Sequence, residues 1–125
     1  MSTLAGMAIA ERQELREQLL RYLRRGRANA RTGAELARLC GYNDDRQVRR
    51  IIRAMIAEGI PVAASTGTPA GFYIADSRKE VEAYLQDLRG RLLEDATRRR
   101  DFKRAARPIL QPEQLPLRVG QLKLL

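Results

Sequence analysis

Residues 32 to 59 read TGAELARLCGYNDDRQVRRIIRAMIAEG, and this stretch predicts two short helices separated by a tight turn. Thr32 and Glu35 form a capping box, because the Thr hydroxyl can accept an N–H of the first turn while the Glu carboxylate reaches back to the cap N–H. Gly41 can end the first helix in the left-handed conformation that favours glycine. The apolar residues expected on one face of this helix are Leu36, Leu39 and Cys40.

The second helix follows a four-residue turn, 42 to 45, and Gly59 is expected to stop it. Asp44 or Asp45 is its natural N-cap. Its apolar residues recur at the i, i+3, i+4, i+7, i+8 spacing of one buried face. They are Val48, Ile51, Ile52, Met55 and Ile56. The other faces are basic, so the whole stretch has the layout of a helix-turn-helix.

The segments EGIPV, at 58 to 62, and GFYI, at 71 to 74, extend this pattern. With them the sequence resembles the winged helix-turn-helix domain at the front of the biotin repressor and its relatives, and similar domains of phage replication and regulatory proteins. Ala37, Gly41 and Val48 stand where such domains place a small residue, a turn glycine and a buried aliphatic residue. The resemblance covers roughly residues 15 to 75. It implies a mainly α fold with a small β-hairpin wing, and double-stranded DNA as the ligand.

We expect three parts along the chain: a winged domain at 9–76, a long amphipathic helix at 77–107 and an extended, flexible tail at 108–125. The winged domain is predicted to begin with a helix from Ile9 to Arg25, after eight residues without regular structure. Its later elements are a minimal strand at 28–31 and a hairpin with strands at 61–65 and 72–75. The long helix would measure about 45 Å, and Pro108 would end it.

The net charge is +9, and arginine outnumbers lysine 21 to 3. Positive charge attracts polyanions, and the planar guanidinium suits phosphates and guanine edges. An arginine-rich proteome would also account for the bias, but not for the concentration of arginine in the second helix.

The residues predicted to contact DNA are Asn43, Asp45, Arg46, Gln47, Arg49, Arg50 and Arg53. The alternative is that some of them cap the helix or form surface ion pairs. The wing loop, 65 to 71, holds no arginine or lysine, so we expect it to contact phosphates through hydroxyls and main-chain N–H groups.

The long helix carries an apolar stripe and a basic end. The stripe consists of Val81, Tyr84, Leu85, Leu88 and Leu92. It predicts a weak homodimer through the helix that begins at Ser77, unless its first two turns complete the winged core. The basic end, at 98 to 107, either contacts phosphates or is solvated charge, since the helix dipole accounts for only a residue or two.

The tail repeats a short pattern, QLPL at 114 to 117 and QLKLL at 121 to 125. The second copy resembles the pentapeptide by which bacterial replication proteins bind the DNA sliding clamp, with Leu125 in place of the usual Phe. The resemblance implies the partner-binding residues Gln121, Leu122, Leu124 and Leu125, with Gln114, Leu115 and Leu117 as a second site. Alternatively, these leucines fold back onto the long helix.

Composition favours a non-catalytic protein. The chain has no histidine and one cysteine, so neither a zinc site nor a disulfide framework is expected, and no cofactor is predicted. It has no apolar run long enough to span a membrane and no signal-peptide pattern, which predicts a cytoplasmic protein. The leading interpretation is a DNA-binding protein of bacterial or phage type, acting in transcription regulation or DNA replication. The alternative is a protein-interaction adaptor that recruits replication partners through its tail.

Overall fold

The computed structural model describes residues 2 and 3 and residues 7 to 111. The elements are strands β1 (Ser2–Thr3) and β2 (Met7–Ala8), helices α1 (Ile9–Tyr22), α2 (Gly33–Leu39) and α3 (Arg46–Ala57), strands β3 (Val62–Ser65) and β4 (Gly71–Ile74), and helices α4 (Arg78–Ala105) and α5 (Arg107–Leu110). A single 3-10 turn, Arg27–Asn29, lies between α1 and α2. The expectation of a mainly helical chain with a small antiparallel hairpin and a long helix is confirmed.

Two compact units make up the chain, at 1–85 and 86–125. The first contains every element up to the first two turns of α4, and the second contains the rest of α4 and α5. Within the described residues, no helix combines the length and the apolar character that crossing a membrane requires.

The core of the first unit forms where α1, α2 and α3 meet the hairpin. Its largest fully buried side chains are Leu15, Leu19, Leu36, Val48, Ile51 and Met55. Four of the five periodic residues of α3, Val48, Ile51, Ile52 and Met55, therefore face inward. Arg16, in the middle of α1, contacts Glu58 at the C-cap of α3, with Arg16 Nη2 2.8 Å from Glu58 Oε1.

The hairpin pairs Val62 with Ile74 and Ser65 with Gly71 in an antiparallel register. It gains a third backbone segment at Arg31, whose N–H donates to the Phe72 carbonyl (2.9 Å) and whose carbonyl accepts from the Phe72 N–H (2.7 Å). Gly71 has φ +123°, and a Cβ there would overlap the Arg31 carbonyl, so the close approach of these two segments requires glycine. The strand predicted at 28–31 is thus reduced to one bridging residue after the 3-10 turn.

Helix α1 ends at Tyr22, three residues before the predicted end at Arg25. Leu23 is extended, with φ −69° and ψ 133°, and its side chain enters the core. The Arg24 carbonyl then accepts the Ile74 N–H at 2.8 Å, and the Gly26 N–H donates to the Ile74 carbonyl at 2.9 Å. Burial of Leu23 and backbone pairing with the end of β4 stabilise the fold more than another turn of α1 would.

The first residues also depart from the prediction that 1–8 lack regular structure. Ser2 pairs with Ala8 and Thr3 with Met7. Met7 is buried in the core, which explains why this segment is held against the first unit.

Two apolar residues predicted to be buried are exposed. Leu39 is 40% exposed, because the inward face of α2 is centred on Leu36 and Ala37 instead. Ile56 is 45% exposed, because it lies at the edge of the buried stripe, about 80° around α3 from Val48. Each therefore lies beside the core rather than in it.

Candidate nucleic-acid interface

Helix α3 separates basic and apolar side chains on opposite sides. Its buried residues, Val48, Ile51, Ile52 and Met55, follow the i, i+3, i+4, i+7 spacing. The same spacing, displaced by two residues, relates its four arginines, which are Arg46, Arg49, Arg50 and Arg53. Since residues at this spacing share one helix face, the four arginines form a single exposed surface opposite the core. We call these four residues the α3 basic face; α3 contains no carboxylate.

The turn before α3 is held by two aspartates with different contacts. Asp44 Oδ1 accepts the Arg46 N–H at 3.0 Å and so satisfies a donor of the first helical turn. Asp45 Oδ2 instead accepts from Arg49 Nε at 2.7 Å. The Asp45 side chain also packs against Gly33, where an added Cβ would lie 2.6 Å from Oδ2. Asp45 therefore positions Arg49 and fixes α3 against the start of α2.

Arg49 makes a second contact, with the hairpin. Its Cζ lies 5.3 Å from the centroid of the Phe72 ring, which is within cation–π range. Phe72 is half-buried, while the neighbouring Tyr73 is buried in the core. The two neighbouring aromatic side chains therefore lie on opposite faces of β4. The exposed end of the guanidinium thus lies where α3 and β4 meet.

Arg50 and Arg53 differ from Arg49 in having no ion pair with any residue of the described chain. Both are exposed. Two further predicted residues flank them: Asn43 is exposed in the turn, and Gln47 is half-buried at the side of α3. The predicted DNA-contact residues therefore lie together around α3, with the arginines facing outward and Asp45 engaged within the protein.

A cation that the sequence analysis missed lies at the hairpin loop. Arg27 Nε donates to Ser65 Oγ at 3.1 Å, and a Cβ at Gly67 would lie 2.9 Å from Arg27 Nη2. Ser65 Oγ also accepts the Gly67 N–H at 3.1 Å, which shapes the start of the loop. The loop contains no arginine or lysine, but the 3-10 turn supplies one. No local signal indicates this contact, since 38 residues separate Arg27 from Ser65.

The position of Arg27 is fixed by Glu80, at the start of α4. Glu80 Oε2 accepts the Arg27 N–H at 2.8 Å, and Oε1 accepts the Asp76 N–H at 2.8 Å. These two hydrogen bonds, the one from Arg27 first, hold the pKa of the Glu80 carboxyl below its ordinary value. Ser77 caps α4 through its Oγ, which accepts the Glu80 N–H at 3.2 Å.

Cys40 is a half-buried free cysteine. Burial raises the pKa of the Cys40 thiol, so this cysteine stays protonated at neutral pH. No group of three or more histidine, cysteine or carboxylate side chains among the described residues is placed to hold a metal ion.

The predicted partner-binding residues of the tail lie outside the described residues. They are Gln114, Leu115, Leu117, Gln121, Leu122, Leu124 and Leu125.

On α4, no residue is buried, so its first turns do not complete the core; Leu85 is 58% and Leu92 69% exposed.

Comparison with protein-family models, with curated protein sequences and with solved structures finds no match to this chain. Its function is therefore inferred from the geometry of its own residues.

Proposed function

We propose that the chain is a non-catalytic DNA-binding protein of bacterial or phage type that acts in transcription regulation or DNA replication. The observation that carries the proposal is the α3 basic face. Four arginines on the outer side of a helix, opposite a fully apolar inner side, suit insertion into the major groove, which is wide enough to admit one α-helix.

The order of the elements supports a winged helix-turn-helix as the fold of the first unit. Helices α2 and α3 follow one another across residues 40 to 45, with Gly41 at φ +84° in the connection. Strands β3 and β4 follow directly, and Arg31 bridges to β4. In this interpretation α3 is the recognition helix, α1 supports it from behind, and the β3–β4 hairpin is the wing.

Roles follow from position along α3. Arg46, Arg49 and Arg50 lie in the first two turns, where a recognition helix contacts base edges, and arginine pairs best with guanine. Arg53 lies a turn further on and is assigned to a phosphate. Arg27, at the hairpin loop, gives the wing the positive charge that its own sequence lacks and is assigned to the DNA backbone.

Electrophoretic mobility shift or fluorescence anisotropy with duplex DNA tests the proposal on the full chain. Arg50→Gln with Arg53→Gln should weaken binding at least several-fold and, because only Arg53 of the two is assigned to a phosphate, reduce the slope of log affinity against log salt concentration by about 1. The matched control is Arg12→Gln with Arg21→Gln. It removes the same charge from α1, which packs on the apolar side of α3. Arg27→Gln should reduce the slope by about 1.

Equal binding by the α3 variant and the wild-type chain would overturn the proposal. It would favour the protein-interaction adaptor, in which the winged domain contacts proteins and the tail recruits replication partners.

A further inference from the structure

The charged residues of α4 within the second unit are sorted to opposite sides of the helix. At about 100° per residue, five exposed cations fall in a sector of about 140°. They are Arg89, Arg99, Arg100, Lys103 and Arg104, which we call the α4 basic face. The four carboxylates of the same stretch, Asp87, Glu94, Asp95 and Asp101, lie in the remaining part of the circle, together with Arg91 and Arg98.

Ion pairs within the helix leave most of this basic face uncompensated. Arg98 pairs with Asp95 on the acidic side at 3.3 Å, and Arg100 reaches the adjacent Asp101 at 3.4 Å. Arg99, Lys103 and Arg104 make no ion pair with any described residue. The negative end of the helix dipole is equivalent to about half a unit charge, which is too little to account for this number of cations.

The end of the basic face is also concave. A depression of about 350 Å³ lies where α4 meets α5, lined by Arg99, Arg100, Lys103, Arg104 and Arg107, with Leu110 and Gln111. Five cations and no carboxylate line it. Like charges held this close repel one another, so the arrangement is favourable when an anion lies among them.

We propose that the α4 basic face binds the phosphate backbone of DNA without reading its sequence, as a second contact in addition to that of α3. The proposal rests on the proposed function. From Arg89 to Arg104 the helix rises about 22 Å, a length over which one DNA strand presents about six phosphates. Guanidinium groups bind phosphate oxygens through paired hydrogen bonds, which suits a face made mostly of arginine.

An anionic membrane surface fits the helix less well. An interfacial helix places its apolar residues on one face, opposite its cations. Here Leu92 and Leu93 are both exposed and both lie within the basic sector, and the exposed Phe102 lies about 80° around α4 from Leu92. This part of the helix therefore has no apolar face opposite its cations to insert among lipids, whereas a nucleic acid needs none.

The test compares two variants of the full chain that differ only in the side of α4 they alter. Arg99→Gln with Arg104→Gln should lower affinity several-fold for duplexes of unrelated sequence and reduce the salt slope by about 2. The control, Arg91→Gln with Arg98→Gln, removes the same charge from the acidic side and should bind as the wild-type chain does. Equal losses in both variants, or none in the first, would overturn the inference.

Failure of this inference is distinguishable from failure of the proposed function. If Arg50→Gln with Arg53→Gln binds normally while the basic-face variant is weakened, the α3 interface fails and the α4 contact stands; the reverse result removes the α4 contact alone. Cosedimentation with phosphatidylserine–phosphatidylcholine vesicles tests whether the α4 basic face binds lipid instead of DNA. Vesicle binding that the basic-face variant abolishes, with DNA binding unaffected, would assign the face to lipid and overturn the inference.

Discussion

The Arg49 guanidinium lies over the Phe72 ring, with Cζ 5.3 Å from the ring centroid, and so connects α3 to strand β4. The Nε–H of the same guanidinium donates to Asp45 Oδ2 at 2.7 Å, and this hydrogen bond orients the side chain. Arg49 is thus placed by contacts with both neighbouring segments before any ligand binds. The adjacent Arg50, on the same face of α3, has no such contact among the described residues.

Because of this difference, we expect Arg49 to contribute more than Arg50 to the free energy of unfolding. Arg49→Ala removes an exposed ion pair and a surface cation–π contact, so it should lower the free energy of unfolding by about 1 kcal/mol. Arg50→Ala should change it by less than about 0.5 kcal/mol. Urea denaturation measures both values, and either variant should weaken DNA binding. Equal stability of the two variants would show that the Phe72 and Asp45 contacts contribute little.

The hydrogen bonds accepted by the Glu80 carboxylate predict that the stability of the protein depends on pH. Its carboxylate accepts N–H groups from Arg27 and Asp76, which lowers its pKa in the folded protein. A lowered folded pKa means that the stabilisation is present above the unfolded value, about 4.3, and is lost as pH falls through the folded one. Glu80→Gln leaves one acceptor oxygen for two donors, so it should destabilise the protein at about pH 7 and much less at about pH 3.

Urea denaturation of wild type and Glu80→Gln at the two pH values tests this expectation. Glu82→Gln is the control, because among the described residues Glu82 pairs only with the exposed Arg78 side chain, at 2.9 Å. The assignment would be wrong if Glu80→Gln destabilised the protein equally at both pH values.

The homodimer through the helix that begins at Ser77 stays a prediction. Leu88 and Leu92 share one face of α4 and are 40% and 69% exposed, and contact with a second copy of the helix would bury them. The apolar stripe is short, so we expect a dimer only at high concentration. Leu88→Ala with Leu92→Ala should abolish it in sedimentation equilibrium, whereas Leu93→Ala, on another side of the helix, should not. A wild-type chain that sediments as a monomer at high micromolar concentration excludes the dimer.

The tail prediction concerns a bacterial DNA sliding clamp. A peptide of residues 108 to 125 should bind the purified clamp with micromolar affinity, because each buried leucine contributes roughly 1.5–3 kcal/mol of transfer free energy. Leu122→Ala with Leu124→Ala should abolish this binding in a fluorescence titration. Absence of binding by the wild-type peptide at about 100 μM would remove the link to replication and leave a DNA-binding regulator.

The sequence by itself determined the elements whose signals are local. The spacing of Val48, Ile51, Ile52 and Met55 predicted both the length of α3 and its buried side, since a 3.6-residue period is written within one helix. The arginines on the opposite side follow from the same period. Thr32 and Ser77 marked helix starts correctly, because a cap bonds to an N–H only three residues away.

Only the tertiary structure decided how distant segments meet. Packing ended α1 before Leu23 and buried Met7, and both outcomes depend on the neighbouring elements rather than on period. It also brought Arg27 to the hairpin loop and Phe72 beneath Arg49. Residues 38 and 23 positions apart carry no mutual signal in a single sequence. The contact of Arg27 arises because the backbone bonds of Arg24, Gly26 and Arg31 hold its segment against β4.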